Sequence, residues 1–196
     1  MILASSNAAK LTELTALLLP LGFDLTPQQE LGIKSPPESG TTFQENALIK
    51  ARHAAGQRAL PAIADDSGIE VDALHGAPGV RSARYAGEAA ADRDNIEKML
   101  AALAAVPAAA RTARYRCVIA FVRGANDVAP IIGSGSWQGR IAQVPRGAGG
   151  FGYDPIFIPE GHERTAAELS PSEKNVLSHR AHALSDLVAR LRAASI

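Results

Sequence analysis

The chain has 196 residues, 46% of them hydrophobic and only 5% aromatic, so its core must be built mainly from Ala, Leu, Val and Ile. That length and composition suit helices packed on a sheet, in one domain or in two lobes sharing a sheet, and argue against two independent domains. Lys plus Arg equals Asp plus Glu at 20 each, which removes the broad positive field that duplex DNA or anionic lipid requires, and leaves local phosphate binding as the only kind open.

The opening residues, ILASSNAAKLTEL, read as an apolar strand entering a polar turn at Ser5, Ser6 and Asn7. A helix follows, with Leu11, Leu14, Leu17 and Leu18 at helical spacing until Pro20 and Gly22 stop it. A short strand is expected from Phe23 to Leu25, and KSPPESG, with Glu38 as its acidic group, reads as a loop. Thr42 and Glu45 form a T-x-x-E capping box that opens a helix through NALIKARHAA, with Asn46 and Lys50 one turn apart. In PAIADDSGIEVDAL an apolar strand, Ala62 to Ala64, is expected to break at Asp65, Asp66, Ser67 and Gly68 before an alternating run. A helix from Asp92 to about Ala105 comes next, then an Ala-Pro connector, then a long hairpin of Tyr115 to Val122 and Val128 to Trp137. The glycine-rich RGAGGFGYDP reads as a loop of unusual backbone freedom. Ser170, Pro171 and Glu173 make a second capping box, opening a last helix that is expected to run to about Arg192.

The single cysteine, Cys117, cannot form an internal disulfide and reads as a small core residue in a strand. No cationic segment precedes the first apolar run, which Asn7, Lys10 and Glu13 interrupt, and no apolar run approaches the roughly 20 residues a membrane span needs. A cytoplasmic location is the default expectation.

Several groups invite a chemical reading, each beside a plainer one. A strand entering a helix through a polar turn presents backbone N–H groups and a helix-dipole end suited to phosphate, with Lys10 in reach, yet Ser-Asn before a helix is also an everyday N-cap. Asp65 and Asp66 place acidic groups at a strand end, where α/β sheets bind ligands, but DDSG is equally a turn. Neighbouring strand residues point to opposite faces, so only one of the pair can face a given site. On the last helix Val176, Leu177, Ala183, Leu184, Leu187, Val188 and Leu191 form one stripe, with Arg180 near its middle. A guanidinium there needs either a buried carboxylate or a ligand, and Lys174, Ser178 and His179 surround it with further donors. Phe151 in FGYDP could stack on a base that Tyr153 and Asp154 position, or could be core beside a turn. His53, His75, His162 and His182 show no metal-ligand spacing.

Taken in this order, SSNAAK, FQENALIKARHAA, IADDSGIEVDALHGAPGVRSARYAG, GGFGYDPIF and EKNVLSHRAHAL closely resemble the inosine triphosphate pyrophosphatase family, the non-canonical purine NTP pyrophosphatases, over nearly the full length. The resemblance implies an α/β fold: an elongated mixed β-sheet with helices, two lobes flanking a central substrate cleft, forming one domain over 1–196 and usually a homodimer. It implies a magnesium-dependent enzyme that hydrolyses ITP, dITP and XTP to the monophosphate and pyrophosphate. Ser5, Ser6, Asn7, Ala8, Ala9 and Lys10 would hold the triphosphate, with Lys50 as a second cation. Glu38 and Asp66 would engage Mg2+, Asp66 also accepting a proton. Ser67, Phe151, Gly152, Tyr153, Asp154, Lys174, His179 and Arg180 would contact the nucleotide. Ser6 departs from the family's usual glycine; if that glycine serves a positive φ, either Ser6 would carry roughly 1 to 2 kcal/mol of strain or the loop would relax and hold phosphate slightly differently. The expected partner is a small purine nucleotide, not nucleic acid or membrane. Maf-type pyrophosphatases share the lobed fold but would not be expected to carry the SHR helix, and a non-catalytic nucleotide sensor has no need of both Glu38 and Asp66.

Overall fold

The computed structural model describes residues 1–194, except for the Leu21 side chain; residues 195 and 196 of the expected 1–196 domain lie outside the described part. Alternating helices and strands give a mixed α/β fold with one six-stranded sheet. Its strands are β1 (Ile2–Leu3), β2 (Thr26–Pro27), β3 (Ala62–Val71), β4 (Thr112–Val122), β5 (Ile131–Ile141) and β6 (Phe157–Pro159), in the spatial order β2-β1-β3-β4-β5-β6. β1 runs parallel to both neighbours, with Ile2 opposite Thr26 on one side and Ala62 on the other, whereas β5 and β6 are antiparallel. The helices are α1 (Ala8–Leu18), α2 (Phe43–Arg58), α3 (Asp92–Ala102), α4 (Pro171–Leu177) and α5 (His179–Ala193).

By its internal contacts the chain divides into two compact units, each assembled from separated segments. The first comprises Met1–Asp66, Cys117–Gly135 and Arg180–Ile196. Its core joins Leu3 and Ile63 of the parallel strands, Leu14 and Leu18 of α1, Cys117, Ile119 and Phe121 of β4, and the Ala183, Leu184, Leu187 and Leu191 stripe of α5. The Cys117 thiol is buried there and pushed up to about 12 by burial, so it stays a neutral core group, as expected from its strand position. The second unit comprises Ser67–Arg116 and Ser136–His179. Aromatic rings fill its core: Tyr115 packs edge-on to Phe157 at 4.7 Å, and Trp137 lies 5.3 Å from the same ring. Among the described residues no helix is long and apolar enough to cross a membrane.

Four expectations are corrected. β2 lies at Thr26–Pro27, just after the expected Phe23 to Leu25. β3 does not break at DDSG but runs unbroken to Val71, because both aspartates find cationic partners and need no turn to keep them solvated. The last helix is two helices, since Ser178 turns extended (φ −73°, ψ 156°) between α4 and α5. That break rotates Val176 out of the expected stripe and leaves it 72% exposed. Finally, the positive-φ residues other than glycine among the described residues are Ala59 and His75, so Ser6 carries no left-handed strain.

Candidate functional site

The first unit gathers the acidic side chains of Asp65, Asp66, Glu38 and Glu13 and the basic ones of Lys10, Lys50 and Arg180 around β3. In extended chain Asp65 and Asp66 leave opposite faces, and each pairs at close range with different cations. On one, Lys10 Nζ lies 3.1 Å from Asp65 Oδ2, and Arg180 reaches the same oxygen at 3.5 Å while also binding Glu13. Arg180 is 1% exposed. Burial alone would raise the Asp65 carboxyl, but Lys10, Arg180 and Lys50 override it and hold Asp65 well below the usual carboxylate range. Arg180 is pushed the other way, its charged form favoured by Asp65 and Glu13 against burial.

On the other face Lys50 Nζ donates to Asp66 Oδ1 at 3.1 Å and to Glu38 Oε1 at 2.7 Å. An ammonium carries three N–H donors, and these two carboxylates take two of them. Burial raises the Asp66 carboxyl, and the nearby Glu38 charge adds to that, while Lys50 and Lys10 pull it down; the balance lies above the ordinary value. Lys50 is raised as well, since carboxylates surround it and outweigh its burial. Both shifts follow from one cation shared among several acids. The local sequence builds this arrangement: the Thr42–Glu45 capping box is formed as expected, and it starts α2 so that Asn46 and Lys50, one turn apart, both reach Asp66.

The opening loop forms the N-cap expected of it. Asn7 Oδ1 accepts the Lys10 N–H at 3.1 Å, and Ser5 Oγ accepts the Asn7 N–H at 3.3 Å. Ser5 is buried, Ser6, Asn7 and Ala8 are exposed, and Ala9 and Lys10 are half-buried. The first unit therefore brings together Lys10, Lys50, Asp66, Glu38 and Arg180 of the expected residues, directly or through Asp65.

The second unit holds the remaining ones, with Asp154 as their hub. Asp154 Oδ2 accepts from Lys174 Nζ at 2.6 Å and from the Phe151 N–H at 2.9 Å, and Oδ1 accepts from the Tyr115 hydroxyl at 3.1 Å. Lys174 also lies 4.9 Å from the centre of the Phe151 ring, a cation–π distance. Tyr153 is anchored by its hydroxyl to the Ser82 carbonyl at 2.7 Å, and the Gly152 N–H donates to Asp92 at 2.6 Å. Gly147, Gly150 and Gly152 all take positive φ, the backbone freedom expected of this loop. His179 stacks on Tyr115 at 4.6 Å and 8°. Ser67 is half-buried at the start of this unit's share of β3.

Sequence reasoning did not assign Tyr115, Glu13 or Asn46 to the site. Tyr115 gave no signal beyond a strand aromatic. Glu13 follows Lys10 at i+3 and Asn46 precedes Lys50 at i−4, spacings that mark one helix face and point to shared partners.

The sequence pattern of the Ham1 family matches residues 1–190. A dITP/XTP pyrophosphatase of Methylococcus capsulatus is 57% identical over 193 residues, covering 98% of this chain and 96% of that protein. Among solved structures, a HAM1 protein from Coxiella burnetii superposes with a TM-score of 0.90 at 52% identity, covering 98% of both chains. The Staphylococcus aureus Ham1 protein gives 0.86 at 38% identity, covering 98% of this chain and 97% of that one.

Proposed function

The chain belongs to the Ham1 family, and on that premise we propose that it is a nucleoside-triphosphate pyrophosphohydrolase that hydrolyses non-canonical purine nucleotides, dITP, XTP and ITP, to the monophosphate and pyrophosphate. The observation that carries this reading is the pair of carboxylates, Glu38 and Asp66, meeting on one cation, Lys50 Nζ. Two oxygen donors within bonding distance of one positive charge also fit a hard divalent ion, magnesium, with phosphate oxygens and water filling its other positions. Among the described residues no group of three His, Cys, Asp or Glu side chains is placed to hold a metal by itself, which fits an ion held jointly with substrate. When bound, the ion neutralises charge on the departing pyrophosphate and acidifies water.

The chain's own residues then have distinct tasks. Lys10, Lys50 and the N–H groups of Ser5 to Ala9 bind the triphosphate. Asp66 takes the proton of a water whose oxygen bonds the α-phosphorus in line as the bridging P–O bond to pyrophosphate breaks. A carboxyl raised by burial is the better proton acceptor near neutral pH. Phe151 stacks on the base, Lys174 and His179 present N–H donors to its 6-oxo group, and Ser67, Gly152, Tyr153, Asp154 and Arg180 shape or support that contact. Adenine offers an amino donor where hypoxanthine offers an acceptor, so donors would face donors and the mismatched base is rejected. The homodimer belongs to the same proposal and rests on the resemblance in sequence, while the cytoplasmic location carries over as the default expectation of the sequence.

The test is pyrophosphate release from purified protein over dITP, XTP, ITP, ATP and GTP, with magnesium and with chelator. Release from dITP and XTP that needs magnesium, and disappears in Asp66→Asn, is the expected result. A panel with no preference, or release that persists in Asp66→Asn, overturns the reading.

A further inference from the structure

Asn46 is fully buried on α2, an uncommon place for a carboxamide unless both of its ends are bonded. Both are. Its Nδ2 donates to Asp66 Oδ2 at 3.1 Å, and its Oδ1 accepts the Gly40 N–H at 2.8 Å. A carboxylate at one end and a backbone N–H at the other admit a single amide orientation. Gly40 closes the loop that carries Glu38, and it lies so close to α2 that an added Cβ would meet Asn46 Oδ1 at 2.7 Å and the Glu45 Cβ at 2.7 Å. The bare backbone of a glycine is what lets the loop reach this carboxamide.

We propose that Asn46 is a positioning residue that couples the two metal-binding carboxylates, one amide fixing the Asp66 carboxylate and, through Gly40, the loop that presents Glu38. This deepens the proposed function and rests on it. The amide fixes Asp66 at Oδ2 and so leaves Oδ1 turned to Lys50. The Glu38 side chain meets the same Lys50, and Gly40, two residues on, ties its loop to the Asn46 amide. Outer partners that orient metal-binding groups are felt in metal affinity and activity.

The experiment uses Asn46→Leu, which keeps the branched side-chain shape without either hydrogen bond, and Gly40→Ala, whose added Cβ presses on Asn46 Oδ1 and the Glu45 Cβ and so pushes the loop end off the amide. Manganese binding to the substrate-free protein is measured by calorimetry, and kcat, KM and the half-saturating magnesium concentration are measured with dITP. In both variants manganese affinity and kcat are expected to fall roughly tenfold or more, as orienting partners of metal ligands do. KM should stay within about twofold, since phosphate binding is left in place. Manganese affinity and kcat within about twofold of the parent in either folded variant overturn the coupling, because loss of either bond alone should be felt. Should Asn46→Leu fail to fold, Gly40→Ala decides. Should the parent protein release no pyrophosphate from any nucleotide, the proposed function fails, while the manganese measurement still decides whether Asn46 orders the two carboxylates.

Discussion

In extended chain consecutive side chains leave opposite faces, and Asp65 and Asp66 use that rule to make their close ion pairs with different cations. Asp65 is bound by Lys10 and Arg180 and lies far below its ordinary titration range; Asp66 shares Lys50 with Glu38 and lies above it. Arg180 accordingly answers the question its position on the helix raised: its guanidinium is held by the buried carboxylate of Asp65 and the half-buried one of Glu13. Removing it leaves Asp65 and Glu13 without that charge in a buried setting, and breaking such a pair from one side costs about 3–5 kcal/mol. Arg180→Ala is therefore expected to lower stability by that amount in urea denaturation, before any effect on base selectivity is read. A loss below about 1 kcal/mol would mean that water reaches the carboxylates and that the pair is of the weak, solvated kind.

At the level of elements, the two capping boxes show how local chemistry places distant groups. Thr42 Oγ1 accepts the Glu45 N–H at 3.1 Å and Glu45 Oε2 accepts the Thr42 N–H at 3.2 Å, which sets where α2 begins and hence which face Asn46 and Lys50 occupy. Thr42→Ala is expected to cost about 1 kcal/mol in urea denaturation, the usual loss for an N-cap hydroxyl, with α2 still formed. Both boxes were legible in the sequence because capping is a contact within four residues, and so were the opening strand, turn and helix. The continuation of β3 through DDSG was not, since it depends on Lys10, Lys50 and Arg180 arriving from elsewhere in the chain to neutralise the aspartates. The break at Ser178 was hidden for the opposite reason: periodicity carries on smoothly across it, and Leu177 and Leu184 both look like members of one stripe although they pack in different cores. Within the candidate site Lys10, Glu38, Lys50, Asp66 and Arg180 were picked out by motif positions, whereas Glu13 was not. Tyr115 and Asn46 were not, because their value lies in a hydroxyl and an amide aimed at carboxylates far along the chain.

For the molecule as a whole, the carboxylates set the response to acid. Asp65, Asp72, Asp127, Asp186, Glu45, Glu168 and Glu173 all titrate below their ordinary values in the folded state, Glu173 at about 2, through ion pairs and through hydrogen bonds accepted from backbone N–H groups and side-chain hydroxyls such as that of Thr112. A group depressed on folding contributes stability that is fully present above its unfolded value, about 4 for these side chains, and that is lost as pH falls toward the folded value. Asp66 has the opposite sign: its raised folded value means a cost at neutral pH that is relieved as pH falls toward the unfolded one. It is one group against seven, and six of those seven lie outside the site, so the net direction is set by the depressed set. Stability should therefore be nearly level from neutral pH down to about 5 and then drop continuously below about 4. Thermal melting followed across that range checks the sign directly. A melting temperature that holds level to about pH 2.5 would mean that these ion pairs and caps persist in the unfolded chain as well, so that acid does not distinguish the two states.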